Sequence, residues 1–469
     1  MTKVRDKIFR DPIYGYISIS EKYCEDFIDT PIFQRLRRIE QTSMRILYPA
    51  AHHDRFIHSL GVFYLGKTAF SHLEANSRNF FSEITQEQWD KYRTTFEIAC
   101  LMHDCGHSPF SHTFEDHYLF QKEENIKNQI LSYFENEPAF SKEYDSASPA
   151  SHEKISALLL LSVFFEKIKT YSASPQLAAR MIMGCKYESP KNLFEKFENR
   201  LISLLNGSGI DVDSLDYIQR DSWISGVSNV EIDYQRLLSS IMIKPDDHGR
   251  HIQIVFKKGA LSVLENISLG RNFLYKWIYS HHIVTYEQEL LKNIIKKINM
   301  DSGNELNNKI FSIEAFTNPV SFLGVNYYLP SDDDIMHIIK SSKEPNPCKE
   351  EFLSRKYRYK ALWKTYFEFK EVYFKDVNDE NRMRIRSHIN NDKLSEKYGK
   401  EKFLCLSAKP KLKGINPNNF FIDIDSKLID AAKAISFPSQ NLDYFMLYVS
   451  PDLSSRKKDI LEDILGMQA

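Results

Sequence analysis

LMHDCGHSPFSHTFE, residues 101–115, places His103, His107 and His112 beside Asp104 and Glu115. The lead-in from Phe96 to Met102 is apolar and predicts a helix, and Gly106 and Pro109 predict that this helix stops close by. On a helix His103 and His107 stand four apart and share a face; a break just after them lets neighbouring side chains converge on one point. A lone histidine on an apolar helix is most often a hydrogen-bonded core residue. Here that bland reading must account for several histidines at once.

Working outward, AAHHDRFIHSLG adds His52, His53 and His58, and ASHEKIS adds His152 and Glu153. In GIDVDSLDYIQRDSW, Asp213, Tyr217 and Asp221 recur every fourth residue, an acid, a phenol and an acid on one helical stripe. Asp216 and Arg220, also four apart, can pair on the neighbouring face. Two imidazoles and two carboxylates form a ligand set for a hard or borderline divalent ion, with positions left for water and substrate. Such an ion activates water and clamps phosphate oxygens. The set contains no thiolate, which argues against structural zinc, and Cys100 and Cys105 read as small packing residues. The sequence has no GxSxG elbow, Walker A loop, strand-linked GxGxxG or HExxH. Ser108 and Ser111 lack the surroundings a nucleophilic hydroxyl needs.

The 469 residues are 42% hydrophobic, enough for a large core, and carry a net charge of −1. Near-neutrality disfavours long nucleic acid as a partner. The six cysteines are scattered without a CxxC pair, which suits reduced thiols. The charged start MTKVRDKIFR lacks the apolar core of a signal peptide, and the longest apolar run, Ala157 to Phe165, is too short to span a bilayer. A cytoplasmic protein without membrane contact is the expectation.

Helical periodicity predicts helices in DTPIFQRLRRIEQ (with Asp29 or Thr30 as N-cap), FIHSLGVFYLGKTAFSHL, YRTTFEIACLMHD, HEKISALLLLSVFFEKI, LDYIQRDSW, residues 260–279 and residues 282–298. HIQIVFKKG reads as a strand. Past residue 299 the texture changes to polar loops and three strand-like pieces, KFLCLSAKP, NFFIDIDS and YFMLYVSP. The expected architecture is mainly α: a helical core over 1–300 and a smaller mixed α+β lobe over 301–469.

The order H…HD…D resembles the HD-domain phosphohydrolases. The longer phrases FRDPIYGYI, DTPIFQRLRRIEQ, RFIHSLGV, HDCGHSPFSHTFE and DVDSLDYIQRD are similar to the deoxynucleoside triphosphate triphosphohydrolases, which include bacterial dGTPases and a mammalian enzyme with SAM and HD domains. No SAM domain is expected here ahead of the HD region. The resemblance implies cleavage of a dNTP to a deoxynucleoside and inorganic triphosphate. It implies a divalent ion (iron, manganese or magnesium) on His58, His103, Asp104 and Asp213, with room for a second ion. It assigns His112 as proton donor to the leaving 5′-oxygen, His107 and His152 to the α-phosphate, and Arg55 to phosphate. Gln41, Tyr217, Asp221, Arg271 and Tyr279 match the nucleotide pocket, Tyr279 standing against a ribose 2′-hydroxyl. Lys7, Asp29, Gln34 and Arg37 match an allosteric site for an activating nucleotide, GTP or a dNTP, that drives homo-oligomers from dimer to tetramer. Two positions depart from the mammalian pattern: Ser214 replaces a phosphate-touching lysine and Thr42 a leucine. The rival readings are an HD-type phosphodiesterase or nuclease, and a nucleotide sensor without turnover.

Overall fold

The computed structural model describes residues 5–118, 122–207, 209–227, 231–246, 251–390, 393–399, 401–406, 420–434 and 444–466. The chain is mainly α, with small sheets. It opens, however, on a hairpin that helical periodicity does not reveal: β1 (Asp6–Asp11) pairs antiparallel with β2 (Gly15–Ser20), Phe9 opposite Ile17. Charged Asp6, Lys7 and Arg10 mask the pattern in β1, while β2 does alternate, Ile17 and Ile19 buried and Tyr16 and Ser18 exposed, over too few residues to stand out. Asp11 makes the turn, its Oδ1 accepting the N–H groups of Ile13 (2.7 Å) and Tyr14 (2.9 Å). Gly15 follows at φ +80°, which glycine adopts at least cost.

DTPIFQRLRRIEQ does not form one helix. A single α-turn (Pro31–Gln34), capped by the Thr30 side chain, passes into a 3-10 turn (Arg35–Arg38). Ile39 is then extended and accepts the Arg55 N–H at 3.0 Å. That backbone pairing ends the helix and carries Gln41 toward the head of the next one.

α1 (Arg55–Ser77) is capped by Asp54, which accepts the Ile57 N–H at 3.0 Å, and it buries residues on every side. A helix apolar all round belongs at the centre of a core. α2 (Gln86–Met102), capped by Thr85, packs along it through Phe96, Ala99 and Cys100. α3 (Ser151–Ser162) is buried from Lys154 to Leu161. α4 (Val212–Ile224) is capped by Asp211 and crosses α1. At that crossing a Cβ on Gly61 would stand 1.9 Å from Asp216 Oδ1 and 2.5 Å from Arg220 Nη2, so only glycine admits the pair. α5 (Leu261–Phe273) widens into a π-turn over Leu274–Tyr279, and α6 (His282–Asp301) follows. α7 (Asp332–Ser341) begins at a capping box between Ser331 and Asp334.

β3 (Ile241–Pro245) and β4 (Ile252–Lys257) pair antiparallel, Ile243 opposite Ile254. The strand Phe421–Ile424 joins β4 in parallel, Phe256 opposite Ile422, and turns back through Lys427–Asp430. Phe420 and Ile422 thereby enter the first hydrophobic core. A second core gathers Trp363, Phe369, Phe374 and the strand Met446–Val449 against Tyr286 and Leu290 of α6. Among the described residues no helix is long and apolar enough to cross a membrane.

Candidate metal centre and active site

α1 delivers His58, the end of α2 delivers His103 and Asp104, and the first turn of α4 delivers Asp213. α2 stops at Met102, so His103 is its C-cap rather than the partner of His107 on one helical face. The four residues meet. His58 Nε2 lies 3.0 Å from Asp213 Oδ1 and 3.6 Å from Asp104 Oδ2; His103 Nε2 lies 3.7 Å and 3.5 Å from Oδ1 of the same two residues. Each imidazole is aimed from behind. His58 Nδ1 bonds Asp216 Oδ2 at 2.7 Å, and His103 Nδ1 donates to the Cys100 carbonyl at 2.9 Å. Both Nε2 atoms are buried without a well-directed hydrogen bond among the described residues. Donor atoms of His58, His103 and Asp213 lie within 4.8 Å of one another, with Asp104 oxygens 3.6 Å and 3.5 Å from the two imidazole nitrogens, a set that suits a divalent ion.

The electrostatics agree. Burial opposes charge on His58, but Asp213 and Asp216 outweigh it and hold its pKa up to about 10 without an ion. Against the effect of desolvation, the two histidines keep the carboxyl of half-exposed Asp213 well below the usual range. Arg220 does the same for Asp216, against burial, at about 2. Arg220 grips Asp216 through Nε (2.8 Å) and Nη2 (2.9 Å), and Asp11 of the β1–β2 turn through Nη1 (3.0 Å). Tyr14 donates its hydroxyl to Asp216 at 2.8 Å.

A second cluster stands beside the first. His107 and His152 stack with ring centroids 4.2 Å apart, and His112 closes on them at 4.9 Å and 5.4 Å. Glu115 binds His152 Nδ1 through one oxygen and lies 3.2 Å from His112 Nδ1 with the other. Against the effect of burial, Glu115 raises His152 to about 9. Burial, then Arg55 and the other histidines, push His107 well below the ordinary value, so it is neutral. Both its nitrogens lack a hydrogen-bond partner among the described residues. A Cβ on Gly106 would stand 2.4 Å from the Ser156 nitrogen, so this glycine lets the loop lie on α3, where His152 is rooted.

Residues 55–181 match the family model of the HD domain. The match to the HD domain covers those residues alone. The matched stretch holds His58, His103 and Asp104, while Asp213 lies beyond it. The chain is 27% identical over 371 residues to the deoxynucleoside triphosphate triphosphohydrolase SAMHD1 of Xenopus laevis, covering 76% of this chain and 55% of that protein. It is 32% identical over 281 residues to the uncharacterized protein MG461 of Mycoplasma genitalium, covering 59% of this chain and 57% of that one. It thus spans little more than half the length of these relatives. A hypothetical protein from Aquifex aeolicus shares the fold at a TM-score of 0.64 and 22% identity, covering 97% of this chain and 100% of that one.

Around the HD centre the nucleotide-pocket residues fall unevenly. Tyr279 donates its hydroxyl to Asp221, whose other oxygen bonds His53 Nε2 at 2.6 Å. Gln41 is buried, its amide oxygen unpaired among the described residues. Tyr217 and Arg271 come together near Asp211. Arg55, expected at phosphate, is a brace: Nε donates to Ser111 Oγ (2.8 Å), Nη1 to Asp104 Oδ2 (2.5 Å) and Nη2 to the Gln41 carbonyl (3.2 Å). Each guanidinium nitrogen makes one bond within the protein, which leaves a further N–H on Nη1 and on Nη2. The four expected regulatory residues form two pairs. Lys7 Nζ meets Asp29 Oδ2 at 2.5 Å, and Arg37 Nε donates to Gln34 Oε1 at 2.9 Å while its guanidinium lies 3.5 Å over Phe56. Thr30, not Asp29, is the helix cap.

Sequence reading missed Glu115 as a partner, although it follows His112 by three residues. It also missed Asp11, Tyr14 and His53, whose contacts are long-range and leave no periodic trace.

Proposed function

We propose that this chain is a metal-dependent dNTP triphosphohydrolase, releasing a deoxynucleoside and inorganic triphosphate. The observation that carries the reading is a set of buried polar atoms that make no well-directed hydrogen bond among the described residues: Nε2 of His58 and His103, both nitrogens of His107, and the amide oxygen of Gln41. Buried polar groups are nearly always satisfied, so an ion together with an elongated polar ligand accounts for them. Similarity to proteins named deoxynucleoside triphosphate triphosphohydrolases supports the same substrate class.

An ion on His58, His103, Asp104 and Asp213 supplies charge neutralisation and activated water; iron, manganese and magnesium all suit these donors. Neutral His107 and protonated His152 face the α-phosphate. His112, oriented through Nδ1 by Glu115, uses its other nitrogen to protonate the leaving 5′-oxygen. Arg55 acts through Asp104, which it holds in place. Gln41 and the Tyr279–Asp221 pair hold the sugar, with Tyr217 and Arg271 beside the nucleotide. The exposed pairs Lys7–Asp29 and Gln34–Arg37 offer cations and acceptors to an activating nucleotide, GTP or a dNTP, in a cytoplasmic homo-oligomer.

A second reading of the histidine cluster has its own observation. Donor atoms of His107, His112, Glu115 and His152 all lie within 4.8 Å of one another, as a second divalent ion requires. Metal stoichiometry separates the two: one ion per chain leaves His112 as the acid, and two make it a ligand.

The test is to incubate the purified protein with each dNTP and NTP, Mn²⁺ or Mg²⁺, with and without GTP, and to resolve the products by ion exchange. Triphosphate and deoxynucleoside are expected, with faster release and higher mass in solution when GTP is present. Monophosphate or shortened strands would point to an HD phosphodiesterase or nuclease; bound but intact nucleotide would point to a sensor.

A further inference from the structure

The loop that carries His112 is strained. Phe110 and Ser111 both adopt left-handed backbone, φ 55° and φ 51°, immediately before it. Each such residue is disfavoured by about 1–3 kcal/mol and persists only where its surroundings over-determine it. Bonds from within the HD domain do part of this. Ser108 Oγ donates to the Ser111 carbonyl at 2.5 Å, and Arg55 Nε holds Ser111 Oγ.

The remaining restraint comes from far outside residues 55–181. Asp332, the first residue of α7, is buried, and its two oxygens grip two different segments. Oδ1 accepts the N–H of strained Phe110 at 2.6 Å, and Oδ2 accepts the N–H of Glu40 at 2.9 Å. Those segments are also sewn to each other, since Ser111 Oγ donates to the Glu40 carbonyl at 2.5 Å. Glu40 precedes Gln41, and Ser111 precedes His112. Arg35 supports the junction, donating to the Pro330 carbonyl (2.7 Å) and the His107 carbonyl (2.8 Å). A carboxylate is an unfavourable group to bury for stability alone, and burial raises this one to about 7. An acceptor with two oxygens is nonetheless what two converging N–H groups need.

We infer that Asp332 is a positioning residue of the active site: by clamping Phe110 and Glu40 together it fixes His112 relative to Gln41. It touches neither ion nor nucleotide and acts through His112, so the inference rests on the reading of His112 as the proton donor. It also makes α7 part of the catalytic unit.

The test compares Asp332→Asn and Asp332→Ala with the exposed neighbour Asp333→Asn as control. The asparagine keeps the size of the side chain but turns an N–H₂ toward one of the two backbone N–H groups. Both Asp332 variants should retain bound Mn²⁺ and lose about 10²-fold in kcat on dGTP, the usual effect of a misplacement near 1 Å. In the His112→Ala background the same substitutions should cost almost nothing, because the residue they act through is gone. Hydrogen exchange read by mass spectrometry, without substrate, should quicken over residues 109–115 and stay unchanged over 55–77. Asp333→Asn should match the wild type throughout. Losses that multiply with His112→Ala, or unaltered exchange over 109–115, would overturn the inference. Should wild-type protein prove inactive on dNTPs, the exchange measurement still decides the clamp while the substrate reading alone fails.

Discussion

Two groups of histidines lie side by side in this molecule, and different partners stand behind their rings. His58 and His103 are anchored through Nδ1, by Asp216 and by the Cys100 carbonyl, and turn Nε2 inward. That is how a protein orients an imidazole as a metal ligand. His112 and His152 share a single carboxylate, Glu115, which keeps a proton on His152, while burial strips one from His107 stacked beside them. One residue type is thus set up to hold an ion in one group and a proton in the other. The difference comes from what sits behind each ring.

The comparison breaks most sharply at the ligands. Asp213→Asn or His103→Ala should abolish both metal content and turnover; a metal assay that finds the ion retained would remove either residue from the set. Next in size, His112→Ala should lower kcat by about 10²–10⁴ with metal content unchanged. Loss of metal in that variant would place His112 with the ligands.

Titration sharpens the contrast further. His152 has its pKa raised in the folded state, to about 9, above the ordinary value near 6.5. Its pairing therefore contributes fully below about pH 6.5 and fades as pH rises through 9, a loss of about 3 kcal/mol. Denaturant midpoints should fall over that window, and Glu115→Gln should flatten the slope; an equal slope in the variant would assign the titration to another group. The smallest effect concerns selectivity. Tyr279→Ala should admit ribonucleotides, read as the ratio of kcat/KM for dGTP and GTP, and an unaltered ratio would move the sugar gate elsewhere.

Much of this was legible in the residues. The spacing of Asp213, Tyr217 and Asp221 placed all three on α4, and the Asp216–Arg220 pair is present as the i, i+4 rule suggested. The end of α2 near Gly106 was signalled, although the helix stops before His103 rather than after it. What the sequence hid is long-range. Nothing near His58 announces that Tyr14 and Asp11 reach the same carboxylate network. The bracing by Arg55 was hidden as well, because its three partners come from three separate segments. β1 and β3 escaped because short strands carrying charge show too little alternation to register, and β2 because its alternation spans only six residues.

The parallel pairing of Phe421–Ile424 with β4 bears on biosynthesis. β4 lies between β3 and that late strand, so one of its edges stays bare on the ribosome until residues 421–424 emerge. An open apolar edge is a template for wrong partners. Premature termination anywhere between would release a chain bearing most of the active-site residues and a sticky sheet, prone to aggregate before it can work.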